Sequence, residues 1–119
     1  MSKMAELVFD MGKVINYKNA GEEIAYRDVV PIGTSCIGIS NMPIPTNEVG
    51  TVTLEGIWEL PADTSTTFEV GDMLYWNTAG KKLTKTSTDI PAGMCTLKKE
   101  SATAVGQVKL LGNAVKTGE

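Results

Sequence analysis

The segment Thr51-Val-Thr-Leu-Glu-Gly-Ile-Trp-Glu-Leu60 decides the fold class. Val52, Leu54, Trp58 and Leu60 fall on one parity, and Thr51, Thr53, Glu55 and Glu59 on the other. This is the period of two by which a strand sends alternate side chains to opposite faces of a sheet. The pattern predicts one half-buried antiparallel strand. Ile57 interrupts the polar face and Gly56 leaves a gap on the apolar one, so a bulge or a close backbone approach is expected there.

On either side, short runs rich in Val, Ile, Tyr, Trp and Thr predict further strands: Val14 to Tyr17, Asp28 to Ile32, Ser35 to Ser40, Met73 to Trp76, Lys82 to Lys85, Gly93 to Leu97 and Gly106 to Leu111. Turn signals separate them, among them Asn19-Ala-Gly21, the Pro43 and Pro45 segment before Gly50, Val70-Gly-Asp72, Asn77-Thr-Ala-Gly80 and Pro91-Ala-Gly93. They recur about every eight to twelve residues, the spacing of a β-sandwich or small barrel. Ala20 to Tyr26 alone hints at a helix, but its apolar pattern ends within one turn, and a loop or single turn is expected.

The two halves of the chain resemble each other. Ile24-Ala-Tyr-Arg-Asp28-Val-Val30 and Phe68-Glu-Val-Gly-Asp72-Met-Leu74 share an apolar residue, three residues, Asp and two apolar residues. Val49-Gly-Thr-Val-Thr-Leu-Glu-Gly56 and Val105-Gly-Gln-Val-Lys-Leu-Leu-Gly112 share Val-Gly-x-Val-x-Leu-x-Gly. An Asp in a tight turn that launches a strand, followed by a Val-Gly turn into a second strand, explains both matches. The alternative is that any two β segments with glycine turns look alike. The expected fold is therefore all-β: a small antiparallel β-barrel or sandwich built from two similar β units, with a short N-terminal arm. The single domain 1–119 divides into an arm or edge strand at 1–12, a first unit at 19–60, a second at 64–112 and a tail at 113–119.

Composition bounds the chemistry. The 119 residues are 42% hydrophobic and 21% charged, which suits one globular domain able to bury a core. Eleven Lys and Arg against fourteen Asp and Glu leave a net charge of −3, so a dedicated nucleic-acid binder is not expected. The chain has no His, which removes the usual near-neutral base and the commonest metal ligand. No apolar run approaches the length of a membrane span, and the charge at Glu6 interrupts any signal-peptide core. No cofactor, metal, nucleic acid or membrane is expected.

The remaining candidates each have a plain structural reading. Glu55 and Glu59, four residues apart on one strand face, would stand about 13 Å apart, too far for a glycosidase pair. Asp28 and Asp72 are expected to hydrogen-bond their own turns. Glu22-Glu23 near Asp28 lacks the spacing of a calcium loop. Cys36 and Cys95 are expected as buried free thiols, and Lys81, Lys82, Lys85, Lys98 and Lys99 as solvated basic spots. Trp58 shares its face with core residues, so at least one Trp should be buried. Tyr75 and Trp76 are candidate interface residues. So are Leu7, Val8 and Phe9 in the first stretch of chain, as an arm that docks on a partner or as an edge strand of the same domain.

The blocks Gly50-Thr-Val-Thr-Leu-Glu-Gly-Ile-Trp-Glu-Leu-Pro61 and Val70-Gly-Asp-Met-Leu-Tyr-Trp-Asn77, with Asn16-Tyr-Lys-Asn19-Ala-Gly and Asp28-Val-Val before them, resemble the small capsid cement or decoration proteins of tailed bacteriophages. The resemblance runs from about residue 7 to residue 112 and departs from the family's pattern at Met42-Pro-Ile-Pro45. It implies a non-enzymatic all-β protein of the virion, bound outside the assembled head after synthesis in the host cytoplasm. The implied partner is the major capsid protein, bridged by a small homo-oligomer, a trimer rather than a dimer. The competing reading is a small cellular β-barrel interaction module that binds protein or nucleic acid. A small enzyme relying on a carboxylate or thiol is disfavoured by the missing His and the distant acids.

Overall fold

Nine strands form among residues 13–110, the part of the chain that the computed structural model describes. They are β1 (Val14–Lys18), β2 (Val29–Ile32), β3 (Cys36–Ser40), β4 (Val49–Thr53), β5 (Gly56–Pro61), β6 (Met73–Asn77), β7 (Lys82–Thr84), β8 (Ile90–Leu97) and β9 (Val105–Leu110). No helix occurs among the described residues. The strands make two antiparallel sheets, ordered β1-β4-β3-β2 and β5-β9-β8-β6-β7.

With β7 set aside, both sheets have the same order: first strand, fourth, third, second. The duplication read in the sequence is thus a duplication of topology, and the turns repeat with it. The Arg27 N–H donates to the Ser40 carbonyl at 3.1 Å and the Gly71 N–H to the Cys95 carbonyl at 2.9 Å. Ser40 N–H returns a bond to the Asp28 carbonyl, and Cys95 N–H to that of Asp72. An isolated antiparallel bridge follows in each unit, Ile24 to Ile44 in the first and Phe68 to Lys99 in the second. The second unit differs by an insertion between β6 and β8 that holds β7.

The segment 51–60 is two strands rather than the expected one. β4 pairs with β1 and β3, whereas β5 pairs with β9 in the other sheet. The corner between them turns at Gly56, whose φ of 109° is a backbone conformation that only glycine adopts readily. The Trp58 indole N–H donates to the Glu55 carbonyl across this corner at 3.0 Å. As a result β5 belongs with the second unit and β1 with the first, so the sheets divide near residue 55, not between 60 and 64. The parity survives the break: Val52 and Leu54 enter one apolar cluster, while Leu60, with Trp58 packed against it, enters the other.

Those two clusters lie on opposite faces of the first sheet. Ser40 pairs with Val52 and Val30 with Gly38, which puts Val30 and Val52 together in the smaller cluster with Ile44 and Leu54. Ile37 and Ile39 leave β3 on the other side and join Phe68, Leu74, Trp76, Leu83, Val108 and Leu110 in the larger cluster. β3 is accordingly buried along its whole length, as a strand covered on both faces must be. The first sheet is therefore a middle layer, with its own loop bridge on one side and the second unit on the other. At the far edge of the second sheet Ala62 meets Leu83 in a parallel bridge, which curls β5 towards β7 in the manner of a small barrel.

Candidate functional site

The turn aspartates do what their positions predict. One Asp28 carboxylate oxygen accepts the Ala25 N–H at 2.9 Å, and the equivalent Asp72 oxygen accepts the Glu69 N–H at 2.8 Å. Asp63 accepts both the N–H and the hydroxyl of Ser65. The Ser65 N–H, then its hydroxyl, with Lys82 behind them, hold the Asp63 carboxyl below the usual carboxylate range. The Glu69 N–H and then Lys85, whose ammonium lies 3.2 Å away, do the same for Asp72. These carboxylates are committed to local structure, since each bonds the backbone that it has to turn.

Glu55 and Glu59, expected on one face of a single strand and too far apart to act as a pair, are separated by the corner. Glu55 lies in the connection, half-buried, and Glu59 is exposed on β5 opposite Gln107. Among the described residues no three His, Cys, Asp or Glu side chains come together in a way that would hold a metal ion. Cys36 and Cys95 are both buried free thiols, and burial pushes the Cys36 thiol up from its ordinary value.

The basic spots resolve into three different things. Lys82, Lys85 and Lys98 face Asp63, Asp72 and the Glu69 and Glu100 pair. Lys81 is exposed in the β6–β7 turn with a φ of 56°. Lys99, expected in solvent, is 3% exposed. Its ammonium donates to the carbonyls of Thr66 at 2.7 Å and Glu100 at 2.9 Å and lies 4.8 Å from the centre of the Phe68 ring. Desolvation of an ammonium is tolerable only with such partners. Lys99 occupies the place that Ile44 holds in the first unit, opposite Phe68 as Ile44 is opposite Ile24. Only that alignment could have singled it out in the sequence.

Of the candidate interface residues, Leu7, Val8 and Phe9 lie outside the described residues. Tyr75 and Trp76 are 6% and 5% exposed. β6 sits between β7 and β8 in its sheet, and Trp76 belongs to the larger core, so the chain itself covers both rings and leaves a partner little to reach. Trp58 is only half-buried.

Between the two units runs a groove of about 710 Å³, bordered by Tyr17, Arg27 and Pro31 on one side and by Glu59, Pro61 and Lys81 on the other. Arg27 ties the units together at its mouth. Its guanidinium lies over the Trp58 ring at 4.8 Å and over Tyr26 at 5.0 Å, and its backbone takes a φ of 69° where the second unit has Gly71. A left-handed non-glycine residue costs about 1 kcal/mol or more, which the contact with Trp58 helps to offset. The groove mixes both charge signs around apolar walls.

No curated protein and no solved structure matches the chain. A family model does match, that of a phage cement protein, over residues 9–110, a span that takes in both units and the corner between them. The family is one of capsid structural proteins and not of enzymes, and with all nine strands inside the matched span, the chain belongs to the phage cement protein family.

Proposed function

We propose that this protein binds the outer surface of the assembled phage head and stabilises the junctions between major capsid protein subunits. The observation that carries the reading is the family match across both β units, which places the protein with the capsid. Its task there is mechanical: it adds buried contact area at junctions loaded by the packaged genome. A homo-oligomer, a trimer in our reading, would engage several capsid subunits at once, and the resulting effective concentration lets a modest interface per copy suffice.

The first ten or so residues would serve as the arm, adding a strand to an edge of the capsid protein with Leu7 and Phe9 as anchors on one side. Size-exclusion chromatography with light scattering, followed by cosedimentation with mature and immature heads lacking the protein, tests the whole reading. A monomer that never cosediments overturns it. Deletion of residues 2 to 10 tests the arm, and unchanged affinity for heads would remove it from the account.

A further inference from the structure

Superimposing the two units by their pairing registers exposes a second duplication, on the surface. Among the described residues nine large hydrophobic side chains are exposed: Val14, Tyr26, Met42, Val49, Ile57, Val70, Met94, Leu97 and Val105. Eight of them fall into four equivalent pairs. Val14 lies opposite Thr53 and Ile57 opposite Lys109, one residue before the last residue of the core pattern in each unit. Tyr26 and Val70 each precede the left-handed residue of the Asp turn, Arg27 or Gly71. Met42 and Leu97 each stand two residues along the chain beyond the equivalent Ser40 and Cys95, with a bulge between Cys95 and Leu97 in the second unit. Val49 and Val105 each open the last strand of their unit. The ninth residue, Met94, corresponds to Ile39, which the contact between the units buries.

Three of these pairs flank the same polar contact along the backbone. Tyr26 and Val70 precede the residue bonded to Ser40 or Cys95, next to Asn41 or Thr96, and Val49 and Val105 stand two residues before Thr51 or Gln107 on their strands. In the first unit the Asn41 amide and the Thr51 hydroxyl meet at 3.4 Å, and Met42 lies against Thr51. In the second unit the equivalent Thr96 and Gln107 side chains meet at 2.9 Å, with Leu97 paired opposite Gln107. The sequences at these places differ, Tyr for Val, Met for Leu and Asn-Thr for Thr-Gln, yet the character of each position is retained. Single exposed apolar side chains are ordinary on a protein surface, but their recurrence at equivalent places in both units is not.

We propose that one chain holds the capsid through two copies of one contact patch, Tyr26-Met42-Val49 on the first unit and Val70-Leu97-Val105 on the second, each seated on the same apolar element of a different capsid subunit. The proposal rests on the capsid-binding reading above. Area decides between this occupant and a second copy of the chain. Each trio is three partly exposed side chains, well short of the about 800 Å² per partner, or about 20–30 residues a side, of a stable pairwise interface. A patch of that size is useful where the partner presents identical sites repeatedly, as a shell of identical subunits does, since the second contact then forms at high effective concentration.

The test uses the full chain and heads lacking it. Met42→Glu with Val49→Glu removes the first patch, Leu97→Glu with Val105→Glu the second, and all four substitutions remove both. Met42→Gln with Val49→Thr, and Leu97→Gln with Val105→Thr, repeat the test with near-isosteric side chains should a glutamate variant fail to fold by circular dichroism. Wild type must cosediment with heads; its failure to do so overturns the capsid reading itself. Given wild-type binding, each single-patch variant is expected to lose about 100-fold or more in apparent affinity, by similar factors, and the combined variant to fall to what the N-terminal arm alone supports. Wild-type binding by either single-patch variant overturns the proposal. So does a fall in oligomer mass by light scattering in a patch variant, since the patch would then join copies of this chain.

Discussion

Gly93→Ala is the substitution for which the structure gives the most definite outcome. A methyl group on Gly93 would overlap the Lys109 carbonyl oxygen and stand 2.8 Å from the carbonyl carbon and 3.1 Å from the Leu110 Cα, all backbone atoms of β9. Gly93 pairs directly with Leu110, so the strain can be relieved only by parting β8 and β9 where Val108 and Leu110 enter the core. Overpacking a core whose side chains can adjust costs about 1–3 kcal/mol. Here the obstacle is main chain, which places the penalty at the top of that range, and the lowered entropy of the unfolded chain returns only about 0.4–1 kcal/mol. The expected net loss is about 2–3 kcal/mol, a fall in Tm of roughly 10 °C at fixed protein concentration. At Gly38, the equivalent residue of the first unit, the main overlap is with a methyl group of the buried Val52, with the Thr53 carbonyl oxygen at 3.0 Å; the obstacle is chiefly side chain, so Gly38→Ala should also destabilise but lose less than Gly93→Ala. At Gly21 the nearest atom is the Asn19 Oδ1 at 3.8 Å, and Gly21→Ala is the matched control, expected within about 0.5 kcal/mol of wild type. Urea and thermal unfolding of the three variants measure this. A Gly93→Ala protein as stable as the Gly21→Ala control would refute the close approach of β8 and β9.

Asn19→Ala should destabilise by about 2–3 kcal/mol in urea unfolding, because the 3% exposed Asn19 side chain donates to the carbonyls of Glu22 and Ile44 at 2.7 and 2.8 Å and accepts the Gly21 N–H. Asn19→Asp should be worse, since a carboxylate would face the same two carbonyls. Acid should weaken the fold through Asp63 and Asp72. Their folded-state values lie below those of the unfolded chain, so their contribution is complete above the unfolded value of about 3.9 and is lost as pH falls through the folded values. Melting curves from pH 6 down to pH 2 should show this decline, and Asp63→Asn with Asp72→Asn should flatten it; an unchanged slope would contradict the hydrogen bonds assigned to them.

Much of this architecture was legible because it is written locally. The Asp turns depend on contacts three residues apart, and the alternation of Val52, Leu54, Trp58 and Leu60 names the buried face without reference to any partner. The same alternation could not show that β4 and β5 join different sheets, because a residue's parity is identical whichever strand lies beside it. Gly56 was the visible mark of the break, although a bulge and a corner call for the same residue. Tyr75 and Trp76 belong to an unbroken apolar run, Met73 to Trp76, and such a run does not say whether its second face meets water or protein. Lys99 sits beside Lys98 in sequence and shares its charge. Only the bridge to Phe68 takes it into the interior, where carbonyls from two loops surround it.

By itself, then, the sequence determined the β class, the places where the chain turns and the fact of duplication, since each follows from backbone preference and side-chain alternation over a few residues. Tertiary structure alone decided that β5 starts the second unit, that β3 is covered on both faces and that the patches of the two units correspond. Those outcomes depend on which distant strands pair and in what register. That choice is made by the packing of Ile37, Ile39, Phe68 and their neighbours into a common core, across separations at which no local pattern in the chain carries information.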